Sequence, residues 1–298
     1  MQKIVINLHN RQDKFNNTIN ELRKVPKLSD FVIRFEAITS EKAKDKCYNF
    51  LHKDAFINIE NVQNTNIIPN YSAVGCALSH IECWKYIVDN HISDCIIIED
   101  DIEIVNKDHF LVDYNNLLNT IKKNNFSNIK RSMFITFNSK IFPYLPSTNK
   151  FVNNKGFNCI KFLNTPFIGL HFYYLNNKMA NYLLKKLKKI KYQLDIEIGI
   201  LASIVYPNIQ YSDPIFGNIP SNDIIQSKKF SSDIQYYNIS FQEISEFLYL
   251  YKIPDDVSKL IYEYIPECFK INRKDEDIQI SRIYKNIYDY LDTSNYYY

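Results

Sequence analysis

Cys95-Ile96-Ile97-Ile98-Glu99-Asp100-Asp101 decides how this chain folds: it is an apolar run that ends in three consecutive carboxylates. A short Ile-rich run predicts a strand buried on both faces, as in α/β sheets whose ligands bind beyond the carboxyl ends of the strands. Three adjacent acids at such an end repel one another, which raises their pKa values unless a cation, hydrogen-bond donors or water relieves them. Clustered carboxylate oxygens of this kind suit a divalent metal ion. The competing reading is that Asp100 or Asp101 caps the loop or helix that follows.

The clearest helical pattern lies just before this strand, over residues 72–91, where Leu78, Ile81, Trp84, Tyr86 and Val88 fall mainly on one face. Further out, residues 3–8 and 30–38 are strand-like. Residues 12–22 have helical spacing through Phe15, Ile19 and Leu22, and 41–50 form a charged helix. Beyond the acids, 109–123 are helical, 133–137 and 157–163 are strand-like, and 167–175 make an aromatic strand. Asn176 or Asn177 then caps a helix running to residue 190, and 195–206 are a short apolar helix or buried segment. This alternation predicts the α/β class. Residues 138–154 and 211–229 carry Pro, Ser and Asn and read as long loops. The pattern changes past residue 231 to short helices rich in Tyr and Ile. The expected division is therefore a main domain over residues 1–230 and a helical extension over 231–298.

At 298 residues with 46% hydrophobic composition the chain can fill a sizeable core. A net charge of +3, from 36 basic and 33 acidic residues, does not favour nucleic acid or an anionic membrane as partner. No segment approaches the roughly 20 apolar residues of a membrane span. The amino terminus passes directly into the strand-like Ile4-Val5-Ile6, which argues against a signal peptide. The six cysteines show no Cys-x-x-Cys pair and no zinc-ligand spacing. Cys76 and Cys83 fall two turns apart on one helix, about 10 Å, too far for a disulfide. Reduced thiols and a cytoplasmic location are expected.

Forward alternation along the strand predicts Glu99 and Asp101 on one side and Asp100 on the other. The preceding helix contributes Gly75-Cys76-Ala77-Leu78-Ser79-His80 and then Trp84. Gly75 permits close backbone approach, while Ser79 and His80 lie near a helix amino terminus, which favours phosphate. Taken alone, His80 reads as a core or surface histidine and Trp84 as core.

Three blocks in order resemble glycosyltransferase family 25: Ile4-Val5-Ile6-Asn7-Leu8 with Arg11 and Lys14, the Gly75 to His80 block with Trp84, and Ile97-Ile98-Glu99-Asp100-Asp101. Residues 169–175 and 180–184 are similar to the family's aromatic strand and following helix. Leu194-Asp195 is similar to its acidic position, and Pro220-Ser221-Asn222-Asp223-Ile224 to its late Ser-Asp-Ile segment. The likeness extends over residues 3–225.

What the resemblance implies is a Rossmann-like glycosyltransferase-A fold with a mixed, mainly parallel sheet. The implied reaction moves a hexose, galactose or glucose, from a UDP-sugar to a glycan or hydroxylysine-like hydroxyl, with inversion and a divalent cation, manganese first. Carried over residue by residue, Asp101 is the leading metal ligand, with Glu99 or Asp100 helping to hold metal, ribose or donor sugar. Asn7 and Arg11 face the nucleotide, and Ser79 and His80 line the same crevice. Asp195 is the first candidate for the catalytic base, with Glu197 second; the bland reading of Asp195 is a helix cap. Asp223 supplies a metal or donor contact.

This chain departs from the family at several places. Lys14 stands where a second Arg is common, Thr39-Ser40 where Asp-Gly is common, and His171-Phe172-Tyr173 is more aromatic than usual. Two other readings compete. One is a catalytically inactive binding module whose carboxy-terminal helices recruit a partner. The other is a two-metal phosphohydrolase, which would need further Asp or His ligands at other strand ends and leaves the Gly75 block without a role.

Overall fold

A computed structural model of the chain describes residues 1–61, 67–125, 130–137, 160–163, 167–205 and 213–227. The Ile run forms strand β3 (Asp94–Glu99), and Ile96, Ile97 and Ile98 have no exposed surface. Ile97 packs into one core layer with Ile4, Trp84 and Tyr173. Ile96 and Ile98 point the other way, into a second layer with Val5, Phe110 and Phe172. With both faces covered, no position in the run has a solvent side for a polar residue to occupy.

The strands β1 (Gln2–Asn7), β2 (Val32–Glu36), β5 (Met133–Phe137), β6 (Lys161–Phe162), β7 (Phe172–Asn176) and β8 (Ile215–Ile219) join β3 in a seven-stranded sheet of order β2-β1-β3-β7-β5-β8-β6. β1 lies parallel to β3 with Ile4 opposite Ile97, and β7 lies antiparallel with Tyr173 opposite Ile97. The pairings leave β2, β1, β3, β5 and β8 running one way and β7 and β6 the other. Helices α4 (Tyr71–Asp89), α6 (Asn177–Lys186) and α7 (Leu194–Val205) cover the Ile97 face through Leu78, Leu183 and Ile198. Helices α1 (Gln12–Arg23) and α5 (Lys107–Asn125) cover the opposite face through Leu22 and Leu117. The expected α/β class and mostly parallel sheet are what the chain forms.

Local chemistry starts the helices where expected. Asn70 Oδ1 accepts from the Ala73 amide at 2.9 Å to open α4, and Asn176 Oδ1 accepts from Met179 at 3.0 Å to open α6. The charged segment after β2 forms α2 (Ser40–Lys46), capped by the Thr39 hydroxyl, and continues as a 3₁₀ turn at Cys47–Asn49. A further helix, α3 (Lys53–Asn61), was not expected.

Four expectations need correction. Residues 211–229, expected to be a long loop, hold β8, which is wholly buried and parallel to β5, and β9 (Ile224–Gln226), which pairs with β4 (Ile102–Ile104). Pro214, Pro220, Ser221 and Asn218 make this stretch look like turn punctuation, whereas the two prolines flank β8. The aromatic strand begins only at Phe172, because Gly169 has φ of 98° and its amide is turned to the Asp195 carboxylate. The helix expected to reach residue 190 ends at Lys186, and Ile190 instead exchanges backbone hydrogen bonds with Phe50 and His52. Of residues 157–163, only Lys161–Phe162 are strand among those described. The carboxy-terminal helices, residues 138–154, Cys159 and Cys268 lie outside the described residues. Cys47, Cys76, Cys83 and Cys95 are free thiols. Among the described residues, no helix is long and apolar enough to cross a membrane.

One close approach fixes α4 against the end of β2. A Cβ built on Gly75 would lie 2.6 Å from the Ile38 carbonyl oxygen. The Ser79 hydroxyl one turn later donates to the Gly75 carbonyl at 2.6 Å and accepts from the Ile38 amide at 2.8 Å. Alanine would gain about 1 kcal/mol of helix propensity over glycine, but the clash is with backbone that cannot rotate away. Gly75→Ala is therefore expected to destabilise the protein by about 1–3 kcal/mol, read from the urea midpoint; equal or greater stability would contradict this packing.

Candidate active site

The carboxyl ends of β1 and β3 stand side by side, Ile6 opposite Glu99, and open into a cleft of about 430 Å³. The alternation predicted for the acids lapses where the strand stops. β3 ends at Glu99 and the chain turns at Asp100 and Asp101, so all three carboxylates line the same cleft.

Each acid is held by a different element. The Glu99 Oε1 atom lies 3.2 Å from His80 Nε2 and 3.9 Å from the Cys76 sulfur, both on α4. Asp100 accepts from the Asn7 side-chain amide at 2.6 Å and lies 3.9 Å from the Lys14 ammonium. Asp101 Oδ2 accepts from Gln226 Nε2, on β9, at 2.8 Å. Its Oδ1 is buried with no hydrogen-bond partner among the described residues.

The electrostatics follow from burial first. Desolvation, then the Glu99 charge, pushes Asp101 up to about 7. Desolvation also raises Asp100, although the Asn7 hydrogen bond and the Lys14 charge oppose it. Burial would raise Glu99 too, but the His80 hydrogen bond together with the electrostatic pull of His80, His171 and Lys14 holds this carboxyl below its ordinary value. Burial and the surrounding acids push the Cys76 thiol well up, so it is no thiolate nucleophile.

The other residues singled out in the sequence divide between cleft and scaffold. Asn7 lines the cleft, yet its amide is committed: Nδ2 also donates to the Arg11 carbonyl, and Oδ1 accepts from Arg34 at 2.8 Å. It serves to hold Asp100. Ser79 and His80 line the cleft as expected, Ser79 with its hydroxyl already spent on the Gly75–Ile38 contact. Behind His80 the Tyr173 hydroxyl lies 2.9 Å from Nδ1 and accepts from Trp84 Nε1 at 3.0 Å. Trp84 is thus core with a polar task.

Arg11, Asp195, Glu197 and Asp223 are not among the cleft-lining residues. The Arg11 guanidinium forms two contacts to Asp13, at 3.2 and 3.1 Å, because two residues along at the start of α1 there is a carboxylate for it to grip. Asp195 sits at the start of α7 with Oδ2 accepting from Gly169 at 2.7 Å and Oδ1 from Ile196 at 2.8 Å. Desolvation raises it to about 6 against the pull of those amides. Glu197 Oε1 accepts from the Lys191 and Tyr192 amides at 2.7 and 2.9 Å, closing the turn before α7. Asp223 lies 3.9 Å from His109, since the β4–β9 pairing carries Gln226, three residues further on, to the cleft instead.

Sequence reasoning did not single out Gln226, Tyr173 or Cys76 for the site. Gln226 had no signal, lying in a stretch read as loop. Cys76 did have one, in its four-residue spacing from His80 on a helix. Lys14, which belongs to the first resembling block and stands where a second Arg is common, proves to be a buried cation beside Asp100.

Glu197 yields a test of this electrostatic picture. Burial raises its carboxyl from 4.5 to about 7. A raised folded-state pKa means that its contribution to stability is complete below pH 4.5 and is lost as pH rises through 7, by up to roughly 1.4 kcal/mol per pH unit. Glu197→Gln keeps a carbonyl acceptor for the two amides and has no proton to lose. The wild type should therefore lose stability relative to Glu197→Gln between pH 4.5 and 7; parallel denaturation curves at every pH would refute the assignment.

The family model of glycosyltransferase family 25, described as an LPS biosynthesis protein family, matches residues 1–198 of the chain. No curated protein matches it. The matched span covers β1, the Gly75 to His80 block, all three carboxylates at the end of β3 and Asp195. The chain belongs to glycosyltransferase family 25 and is a glycosyltransferase.

Proposed function

We propose that the cleft binds the diphosphate of a UDP-sugar with a divalent cation, manganese first, and passes the sugar, galactose or glucose, to a hydroxyl of a glycan or protein acceptor with inversion. The observation that carries this reading is the buried Asp101 Oδ1, an oxygen without a partner among the described residues, beside two further carboxylates. A buried, unpaired carboxylate oxygen costs on the order of 1–3 kcal/mol, and a hard cation supplies what it lacks. The donor set fits: Asp101 with Glu99 or Asp100 would hold the ion. When bound, such an ion offsets the charge that grows on the departing diphosphate.

The protein's own residues divide the remaining work. The Lys14 ammonium, buried next to Asp100, presents positive charge to a phosphate oxygen. Asn7 and Gln226 keep Asp100 and Asp101 turned toward the cleft. Asp195 is the proposed base. Raised to about 6, it can accept a proton near neutrality, and each of its oxygens keeps a lone pair beyond its amide bond. An acceptor must then approach from the Gly169 side of α7. The parallel β2-β1-β3 unit, covered by helices on both faces and open at its carboxyl ends, supports the glycosyltransferase-A form of the fold. The division at residue 230 into a catalytic domain and an extension belongs to the same reading.

The full-length protein with manganese should hydrolyse at least one of a panel of UDP-sugars. Asp101→Asn should lower that rate by about 10²–10³-fold while thermal unfolding stays cooperative, since a metal clamp contributes several kcal/mol to such a step. Turnover of no nucleotide sugar by the wild type, or equal turnover by Asp101→Asn, would overturn the reading and favour an inactive binding module.

A further inference from the structure

The deep wall of the cleft carries three ligand atoms of different character. The Cys76 sulfur, a His80 ring nitrogen and a Glu99 oxygen all lie within 4.8 Å of one another. Cys76 and His80 project from successive turns of α4, and Glu99 meets both from the end of β3. Four-coordinate zinc has bonds of about 2.0 Å to nitrogen or oxygen and 2.3 Å to sulfur, which makes the tetrahedral edges about 3.3 Å for nitrogen to oxygen and 3.5 Å for sulfur to oxygen. The corresponding separations here are 3.2 Å and 3.9 Å. These two edges are within a few tenths of an ångström of that shell, and the third, from the Cys76 sulfur to the His80 ring nitrogen, is no longer than 4.8 Å.

The surroundings suit a metal-bound imidazole. With the ion on Nε2, His80 carries its proton on Nδ1, and the Tyr173 hydroxyl 2.9 Å away has a lone pair left to accept it, since Trp84 occupies only one. His80 and Tyr173 are fully enclosed, so the ring is held in one orientation. The buried Cys76 keeps its proton until an ion binds; the ion displaces that proton to solvent, and the resulting thiolate, with an imidazole and a single carboxylate, forms a softer set than the all-oxygen group around Asp101 and selects a different kind of ion.

We propose that Cys76, His80 and Glu99 form a three-ligand site for a divalent cation of the zinc class, separate from the hard-cation position at Asp101, with its fourth coordination position open to the cleft. A zinc-class ion bound there would leave Asp101 and Asp100 to hold the hard cation. The site rests on the side-chain geometry alone and does not depend on the identity of the sugar donor.

The test uses the full-length, metal-stripped protein without nucleotide. Cobalt(II), a spectroscopic stand-in for zinc, should bind with a near-ultraviolet sulfur-to-cobalt charge-transfer band that saturates at one ion per chain. Cys76→Ser should lose the band and bind cobalt at least tenfold more weakly. A wild type without the band, or a band that persists in Cys76→Ser, would overturn the proposal. X-ray absorption of the zinc-loaded wild type requires no variant to fold: it should show one sulfur at about 2.3 Å with nitrogen and oxygen neighbours near 2.0–2.2 Å. A shell with no sulfur, or with more than one, rejects the site. Since neither measurement involves a sugar nucleotide, failure here leaves the transferase reading standing, and the reverse holds too.

Discussion

Three carboxylates gathered at the end of a strand with no solvent-facing side are the constraint on which the rest of this structure depends. Burial raises the energy of each charge, and their mutual repulsion adds to it. Four elements answer it: β1 through Asn7, α1 through Lys14, α4 through His80 and β9 through Gln226. The compensation is uneven. The Glu99 carboxyl is held below its ordinary value, Asp100 is balanced by one amide and one ammonium, and Asp101 is left with an oxygen that no described residue satisfies. Among the described residues the cleft acids therefore do not form a closed ion-pair network, whose members would all be paired.

The fold can bear this arrangement because the acids lie just past the point where the sheet ends. Ile96, Ile97 and Ile98 anchor β3 between two apolar layers, and the chain turns as soon as Glu99 is passed. The helix that supplies His80 sits unusually close to the sheet edge, with Gly75 against the Ile38 carbonyl and Ser79 bonded to the Ile38 amide. His80 is steadied from behind by Tyr173 on β7, a strand that runs against its neighbours and so brings its hydroxyl beneath α4. Side chains distant in sequence thus hold one another in a single geometry.

Scaffold and site turn out to share residue types. Glu197 and Asp223 belong to the same chemical class as the cleft acids, yet Glu197 holds backbone amides at a turn and Asp223 faces a surface histidine. A carboxylate that accepts from backbone amides and one that faces an empty cleft look identical in sequence, and only their partners tell them apart. Conversely, Gln226 carries no catalytic signature and still orients Asp101.

The sequence by itself determined the class of the fold and the location of the acidic site. Hydrophobic periodicity is local, so the Ile run, the α4 stripe and the Asn176 cap could be read from neighbouring residues alone. The ordered blocks from Asn7 to Asp101 likewise pointed to the family that the chain proved to match. What only the tertiary structure decided is everything that depends on pairing across distance. β8 and β9 became strands because partners far away in the chain, β5 and β4, satisfied their backbone amides and carbonyls. Cys76 became a potential ligand because β3 places Glu99 within reach of its sulfur, and Asp101 became the unsatisfied acid because Gln226 reaches only one of its two oxygens. Periodicity reports which face of an element is buried, but not which atoms will meet there, and the chemistry of this site is set by those meetings.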